Sequence, residues 1–398
     1  MILRIHYNFD LKGGAEYDIL KLMDVFDKHG GDYWQNYLLL ITADSNKFKL
    51  KLHHQEETIY FEKQAEVSKY LEDLILKLNI KILHIHSQPS MKITKMVLNL
   101  KLPVFRSMHE AMIICPGWSK YWLTEDKPCE ISFGTACLIN AYTKKCTQSR
   151  HPQKLMKAYK NVKFEINAAS NVYQAIFIYS DFMKNEAIKS GIDSSKIKKI
   201  PSPQYDHFDD KIKLIQDKIT LIYTGRLSKQ KGVKYLVEAV ALLKARGFTN
   251  FEVLIFGEGP DGNFLKAHVN NLNLNELISF YGWVDRSVLV DYYKKAHISV
   301  IPSTYPDNFP NSVAESMLAQ LAVVAFDSGG TCEWFNHMET GVKVEHKTAK
   351  SLSEAIENLI NNKDLIKLIG KNARQEILNN HSLRKTFDVY KSEYIKVT

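Results

Sequence analysis

The chain has 398 residues, 45% of them hydrophobic and 24% charged, with a formal net charge of +9. That length accommodates two or three domains with real cores, and the composition excludes a disordered, collagen-like or coiled-coil chain. No apolar run approaches the roughly 18 residues of a membrane-spanning helix. Five cysteines, an odd number, argue for a reducing compartment over a disulfide framework. The first residues enter a strand pattern with no apolar signal core, so a soluble cytoplasmic protein is expected.

The positive charge is local. Residues 1–100 carry 13 basic and 13 acidic side chains, residues 101–200 carry 16 and 8, and residues 201–398 carry 24 and 23. Between Ile131 and Phe164 there is no acid, while Lys144, Lys145, Arg150, Lys154, Lys157, Lys160 and Lys163 accumulate. The last four recur every third residue, which aligns them on one side of a helix. A solvated helix face accounts for such a run, and so does a peripheral surface for anionic lipid, for which the 144–163 segment is the candidate. Nucleic acid is disfavoured, because no recognition motif accompanies the charge.

In chain order the first half predicts strands at Ile2–Tyr7, Tyr37–Ile41, Thr58–Phe61, Ile82–His86, Val104–Met108 and Ala175–Tyr179. Helical patterns cover Glu16–Lys28, Ala65–Leu78, Met91–Leu100 and Asp181–Ser190. After a break near Pro201-Ser202-Pro203 the alternation resumes, with strands at Thr220–Tyr223, Glu252–Phe256, Ile278–Tyr281, Ile298–Ile301 and Ala322–Phe326. Helices are predicted at Val233–Arg246, Asp261–Asn270, Arg286–Lys294, Ser312–Leu318 and Leu352–Ile360. Near-continuous apolar strands alternating with helices imply α/β architecture: two Rossmann-like domains, each a parallel sheet covered on both faces, with a cleft between them. Ligands of such sheets bind beyond the carboxyl ends of the strands, so the loops there are the candidate sites.

Four loops stand out. Gly13-Gly14 precedes the first helix, where a close backbone and a helix N-terminus suit a phosphate. Gly225-Arg226-Leu227 and Lys231-Gly232 follow a strand and offer two cations to a diphosphate leaving group. Gly257-Glu-Gly-Pro-Asp-Gly262 spells a dinucleotide fingerprint with Asp285 downstream, but it follows a second strand and Pro260 removes an amide, so nicotinamide-dinucleotide binding is set aside. In Pro302–Met317, Asp307 and Glu315 stand eight residues apart, with Ser312 expected as a helix N-cap and with the amides of Asn308 to Val313 presented to a ligand.

These motifs, in this order, resemble the retaining GT-B glycosyltransferases of the family-four, group 1 type. The series is Gly225-Arg226-Leu227, Lys231-Gly232, Gly257-Glu258-Gly259-Pro260, Gly282-Trp283-Val284, Pro302-Ser303, Asp307 with Glu315, and Ser328-Gly329-Gly330 with Glu333. The resemblance implies a GT-B fold of two Rossmann-like domains facing each other across a cleft: residues 1–200 on the acceptor side, residues 201–378 for the donor, and residues 379–398 as a helix crossing back to the first domain. It implies transfer of a sugar from a nucleotide-diphosphate sugar to a glycan or lipid-linked acceptor, as in bacterial surface-polysaccharide or glycolipid synthesis. Arg226 and Lys231 would hold the diphosphate, Glu315 the ribose, the backbone at Val284 the base, and Asp307 with Asn308 and Phe309 the donor sugar. Asp307 replaces the family's usual Glu, shortening the reach by one methylene. His109, in Arg106-Ser-Met-His109-Glu110, would line the sugar, and Gly13 and Gly14 would match the family's N-terminal glycine loop. No cofactor or divalent metal is implied, since two cations face the diphosphate and no Asp-x-Asp motif occurs. An inverting GT-B transferase and a non-catalytic GT-B glycan- or nucleotide-binding protein remain the alternatives.

Cys115, Cys129, Cys137 and Cys146 fall within 32 residues. Their spacings lack the short Cys-x2–4-Cys pairs of zinc sites, so free thiols are expected and a four-thiolate metal site is the alternative.

Overall fold

The computed structural model describes residues 1–398 except 11–13, 45–46, 148, 209–214 and 216–217. The chain divides into two compact units. The first comprises Met1–Glu125, Cys129–Pro203 and Ser382–Thr398, and the second Asp126–Pro128 with Gln204–His381.

The first unit is built on an eight-stranded sheet. In spatial order its strands are Ile197–Lys199, Ile176–Ile178, Val104–Ser107, Ile82–Ile85, Ile2–His6, Asn36–Asp44, Lys47–Leu52 and Ile59–Phe61. The first six run parallel, whereas the last two are antiparallel additions at one edge, so this sheet is mixed rather than wholly parallel. Leu3, Ile5, Leu83 and Ile85, from the two central strands, are fully buried, as parallel strands covered on both faces require. Serine hydroxyls start the flanking helices: Ser180 accepts from the Met183 amide at 3.2 Å and Ser90 from that of Ile93 at 3.5 Å.

The C-terminal helix Leu383–Tyr394 belongs to this unit. Phe387, Tyr390 and Tyr394 are buried against Phe26 and Phe177, with ring centroids 5.1 Å apart for Phe26–Phe387 and 4.6 Å for Phe177–Tyr390. The Tyr394 hydroxyl lies 2.7 Å from His84 Nδ1 and accepts from Arg4 Nη1 at 3.4 Å, which satisfies polar groups in an otherwise apolar contact. On the helix Pro152–Asn171, Lys154, Lys157, Lys160 and Lys163 are exposed while Leu155, Val162 and Ala169 are buried. No helix among the described residues is long and apolar enough to cross a membrane.

The second unit holds a six-stranded, wholly parallel sheet. Its order is Ile278–Gly282, Phe251–Phe256, Ile219–Thr224, Ile298–Ile301, Ala322–Phe326 and Val342–Val344. The direction of winding reverses between Ile219–Thr224 and Ile298–Ile301, so the crevice where such sheets bind ligands opens at the carboxyl ends of those two strands. Buried Val233, Leu236, Val237 and Val240 recur at helical spacing and seat the helix Val233–Ala245 on one face of the sheet. At the other end of the unit, Arg374 holds Asp206 through both Nη atoms, at 2.9 and 2.6 Å.

Candidate active site

In the second unit the loops leaving Ile219–Thr224 and Ile298–Ile301 are stitched together by backbone. The Gln230 carbonyl accepts from the amides of Thr304 at 3.0 Å and Tyr305 at 3.1 Å. Gly232 makes this approach possible: its φ is +68°, and a Cβ there would stand 1.8 Å from the Pro302 carbonyl oxygen. Lys231, beside it, donates to both Asp307 oxygens at 2.7 Å, and Ser303 Oγ donates to Asp307 Oδ2 at 3.0 Å. The Gly330 amide donates to the Asp307 carbonyl at 2.7 Å, fixing the carboxylate's backbone from below. Arg226 is exposed and its guanidinium has no hydrogen-bond or ion partner among the described residues. Its carbonyl accepts from the Tyr223 hydroxyl at 3.0 Å, which anchors the turn that presents the side chain.

Glu315 projects from the helix Asn311–Leu318 and pairs with Arg286 Nη2 at 2.9 Å. Val284 is half-buried, just before the helix Arg286–Lys295 that carries Arg286, and the neighbouring Trp283 is 65% exposed. Phe309 is committed to packing, its ring stacked 3.7 Å from that of Trp334, while Asn308 is half-buried beside it. Ser312 is not the N-cap: the helix opens at Asn311 with Pro310 at the cap, leaving Ser312 inside the first turn. Pro310, with φ −69°, is pre-set for that entry and has no amide to satisfy. The second unit thus brings Arg226, Lys231, Asp307, Asn308, Glu315 and Val284 onto loops and helix starts at the carboxyl edge of one sheet.

The first unit presents a second polar cluster at the equivalent edge of its own sheet, beyond the strands ending in His6, Ile85 and Ser107. Gly14 opens the helix Gly14–His29, and Gly13 lies outside the described residues. Burial would raise the Glu16 carboxyl, yet His6 at 3.2 Å and Asn8 at 2.8 Å hold it down at about 2. His109 Nε2 lies 3.0 Å from His86 Nδ1, and burial depresses its imidazole to about 4, so it is neutral at physiological pH. Glu110 has no hydrogen bond or ion pair among the described residues. Burial, reinforced by Glu16 and opposed by Arg106, pushes its carboxyl up to about 7.

Sequence patterns did not point to the Glu16–Glu110 contrast, nor to Arg286 as the partner of Glu315. Between about pH 4.5 and 7 the folded chain keeps a proton at Glu110 that the unfolded chain gives up, so stability falls as pH rises through that window. Glu16 acts oppositely: its contribution is present above about 4.5 and lost as pH falls towards 2. Glu110→Gln is therefore expected to flatten the decline of Tm between pH 4.5 and 7. An unchanged slope in that variant would refute the assignment.

Two α/β units, the first on a mostly parallel sheet and the second on a wholly parallel one, each presenting loops at its strands' carboxyl edge, have the GT-B fold. Residues 205–376 match the family model of glycosyl transferases group 1. It is 28% identical over 189 residues to the uncharacterized glycosyltransferase MJ1607 of Methanocaldococcus jannaschii, covering 46% of this chain and 48% of the relative. It is 27% identical over 183 residues to the capsular polysaccharide biosynthesis glycosyltransferase CapM of Staphylococcus aureus, covering 46% and 47%. The match thus spans about half the length of these relatives. Anabaena Alr3699/HepE, solved with UDP-glucose, has a similar fold, with a TM-score of 0.66 and 14% identity over 98% of this chain and 99% of that one.

Proposed function

We propose that the chain is a retaining glycosyltransferase of the hexosyl- or N-acetylhexosaminyl-transferase class. It moves a sugar from a nucleotide-diphosphate sugar to a glycan or lipid-linked acceptor, in bacterial surface-polysaccharide or glycolipid synthesis. The observation that carries this reading is the convergence of Arg226, Lys231, Asp307 and Glu315 at the carboxyl edge of the second sheet, Lys231 and Asp307 on the two loops at its switch point. The likeness to CapM supports the polysaccharide setting, and HepE's UDP-glucose supports a nucleotide sugar as donor.

In this reading Arg226 and Lys231 neutralise the diphosphate as the bond from the sugar's anomeric carbon to the diphosphate oxygen breaks. The acceptor oxygen bonds to that carbon from the same face, and its proton passes to the departing diphosphate oxygen. The two cations do the work that a divalent metal does elsewhere. Asp307, released from Lys231 as the cation turns to phosphate, takes sugar hydroxyls, and Glu315 takes those of the ribose. Val284 and its neighbours border the base, and neutral His109 offers the sugar a hydrogen-bonding partner without added charge.

A thermal-shift panel of nucleoside diphosphates and their sugars tests the donor, since a ligand that binds the folded chain raises Tm. Transfer with the best donor should give a product of unchanged anomeric configuration. An inverted product would replace retention by inversion, and donor binding with no transfer to any glycan would leave a binding protein.

The basic helix supplies a cytoplasmic-face membrane contact in the same reading, its four lysines being exposed along one side. The chain should co-sediment with anionic liposomes at low salt and lose that binding in a Lys154→Glu, Lys157→Glu, Lys160→Glu variant. Equal recovery with neutral liposomes would dismiss the contact.

A further inference from the structure

Beyond the carboxyl ends of the strands Ile82–Ile85 and Val104–Ser107, the surface of the first unit is hollowed into two adjoining cavities. The inner one, about 150 Å³, is lined by Pro89, Met112 and Trp118 together with Lys154 and Lys157 of the helix Pro152–Asn171. The outer one is an open groove that continues along the same helix past Pro152, Met156 and Lys160. Met91 and Lys157 border both, so the two form one furrow.

Local bonding builds this furrow. The Asn161 side-chain amide donates to the Pro89 carbonyl at 2.8 Å, tying the helix to the loop that leaves Ile82–Ile85. Gln88 is buried and uses both ends of its amide on backbone, donating to the Ile41 carbonyl at 3.1 Å and accepting from the Ser90 amide at 3.1 Å. Trp118 holds φ at +67°, a backbone that a bulky residue adopts only at a cost, and in that conformation it lines the cavity.

Two chemistries meet there. Met91, Met112, Met156 and Trp118 supply an apolar wall, and methionine adapts to irregular apolar chains. Lys154, Lys157 and Lys160 are exposed, and none of them has an ion pair among the described residues. Glu165 is the one acid that lines either cavity, and it is already engaged: Tyr173 donates to it at 2.9 Å and Arg106 at 3.4 Å. The positive charge at the rim thus has no protein counter-charge. A ligand with negative charge on an apolar chain complements both halves. A phosphodiester headgroup brings a single negative charge, whereas a diphosphate brings at least two and so matches three lysines better.

We propose that this furrow binds a lipid diphosphate, its chain along the methionines and its diphosphate at Lys154, Lys157 and Lys160. The ligand's role rests on the transferase reading, in which it carries the acceptor: the sugar to be extended is linked to the diphosphate, at the sheet edge that also bears His109. The three lysines then face one headgroup, not the averaged charge of a bilayer. Lys163, which lines neither cavity, is not needed.

Calorimetric titration of the full chain with farnesyl diphosphate, below the concentration at which it forms micelles and with no membrane present, tests this. Wild type should bind it about tenfold or more tightly than farnesol, which lacks the charge, or inorganic diphosphate, which lacks the chain. Lys157→Gln should weaken binding about fivefold or more, while Lys163→Gln changes it by less than about twofold. Met156→Glu, at an exposed position, should weaken it by about tenfold through an acid set against the ligand's charge. Farnesyl diphosphate held no better than inorganic diphosphate, or held equally by wild type and Lys157→Gln, would overturn the proposal. Retention on anionic liposomes without binding of monomeric farnesyl diphosphate would do the same and make the face a bilayer contact only. Nucleotide-sugar binding decides the transferase reading separately. A chain that binds nucleotide sugars but not farnesyl diphosphate loses the proposal and keeps the reading, and the reverse result keeps the furrow's ligand and loses the reading.

Discussion

Lys231→Ala is expected to lower kcat/KM for the sugar donor by about 10²–10³-fold, the usual loss when one preorganised group facing a developing anion is removed. Lys231 serves two anions in turn. It donates to both oxygens of Asp307 at 2.7 Å, and in the proposed mechanism it turns to the diphosphate when donor binds. The substitution also strands Asp307, whose side chain is only 14% exposed, with Ser303 as its remaining donor. A fall in Tm should therefore accompany the loss of activity, because an unpaired, largely buried carboxylate costs about 1–3 kcal/mol or more. The double variant Lys231→Ala, Asp307→Asn separates the two effects: neutralising the stranded acid should restore most of the Tm and none of the activity. A Lys231→Ala protein with wild-type kcat/KM would remove Lys231 from the donor site, whatever its stability.

Gly232→Ala is expected to cost about 2–4 kcal/mol by combining a left-handed backbone with a collision. At φ +68° and 1.8 Å from the Pro302 carbonyl, the new Cβ can be accommodated only if one of the two backbones moves. Those backbones carry the Gln230 bonds to Thr304 and Tyr305, so displacement reaches Lys231 on one side and Asp307 on the other. Donor KM should rise along with the fall in Tm. Gly247→Ala makes the control: its φ is +90°, but nothing lies within 4 Å of the added methyl, so only the backbone penalty of about 1–2 kcal/mol applies. Equal Tm losses in the two variants would show that the collision with Pro302 does not matter.

The alternation of apolar strands and amphipathic helices was legible because each element carries its own period. Lys47–Leu52, Lys-Phe-Lys-Leu-Lys-Leu, was not recognised as a strand: its apolar residues alternate with lysines, so no continuous run marks it, although the period of two that buries Phe48, Leu50 and Leu52 was there to read. Val342–Val344 and Ile197–Lys199, at three residues each, are too short to show any period. In the site, Arg226, Lys231, Asp307 and Glu315 could be read because they stand in local motifs. The bonds that govern them could not. Lys231 and Asp307 are 76 residues apart, and the bond joining Arg286 to Glu315 arises from two helix starts on different strands' loops.

The hand-over between the units has a practical consequence. Chain enters the second unit at Gln204 and leaves it at His381, and the Gln204 amide donates to the His381 carbonyl at 3.1 Å. Entrance and exit of this long stretch are thus neighbours, and residues 204–381 form one insert that holds all of the second unit except Asp126–Pro128. The family match, residues 205–376, fits inside that insert. If the second unit holds the donor, as proposed above, the corresponding unit of a related enzyme could be exchanged at these two adjacent points while Pro203, Ser382 and the aromatic C-terminal helix stay where they are. Specificity for donor and for acceptor could in that way be recombined as separate genetic parts.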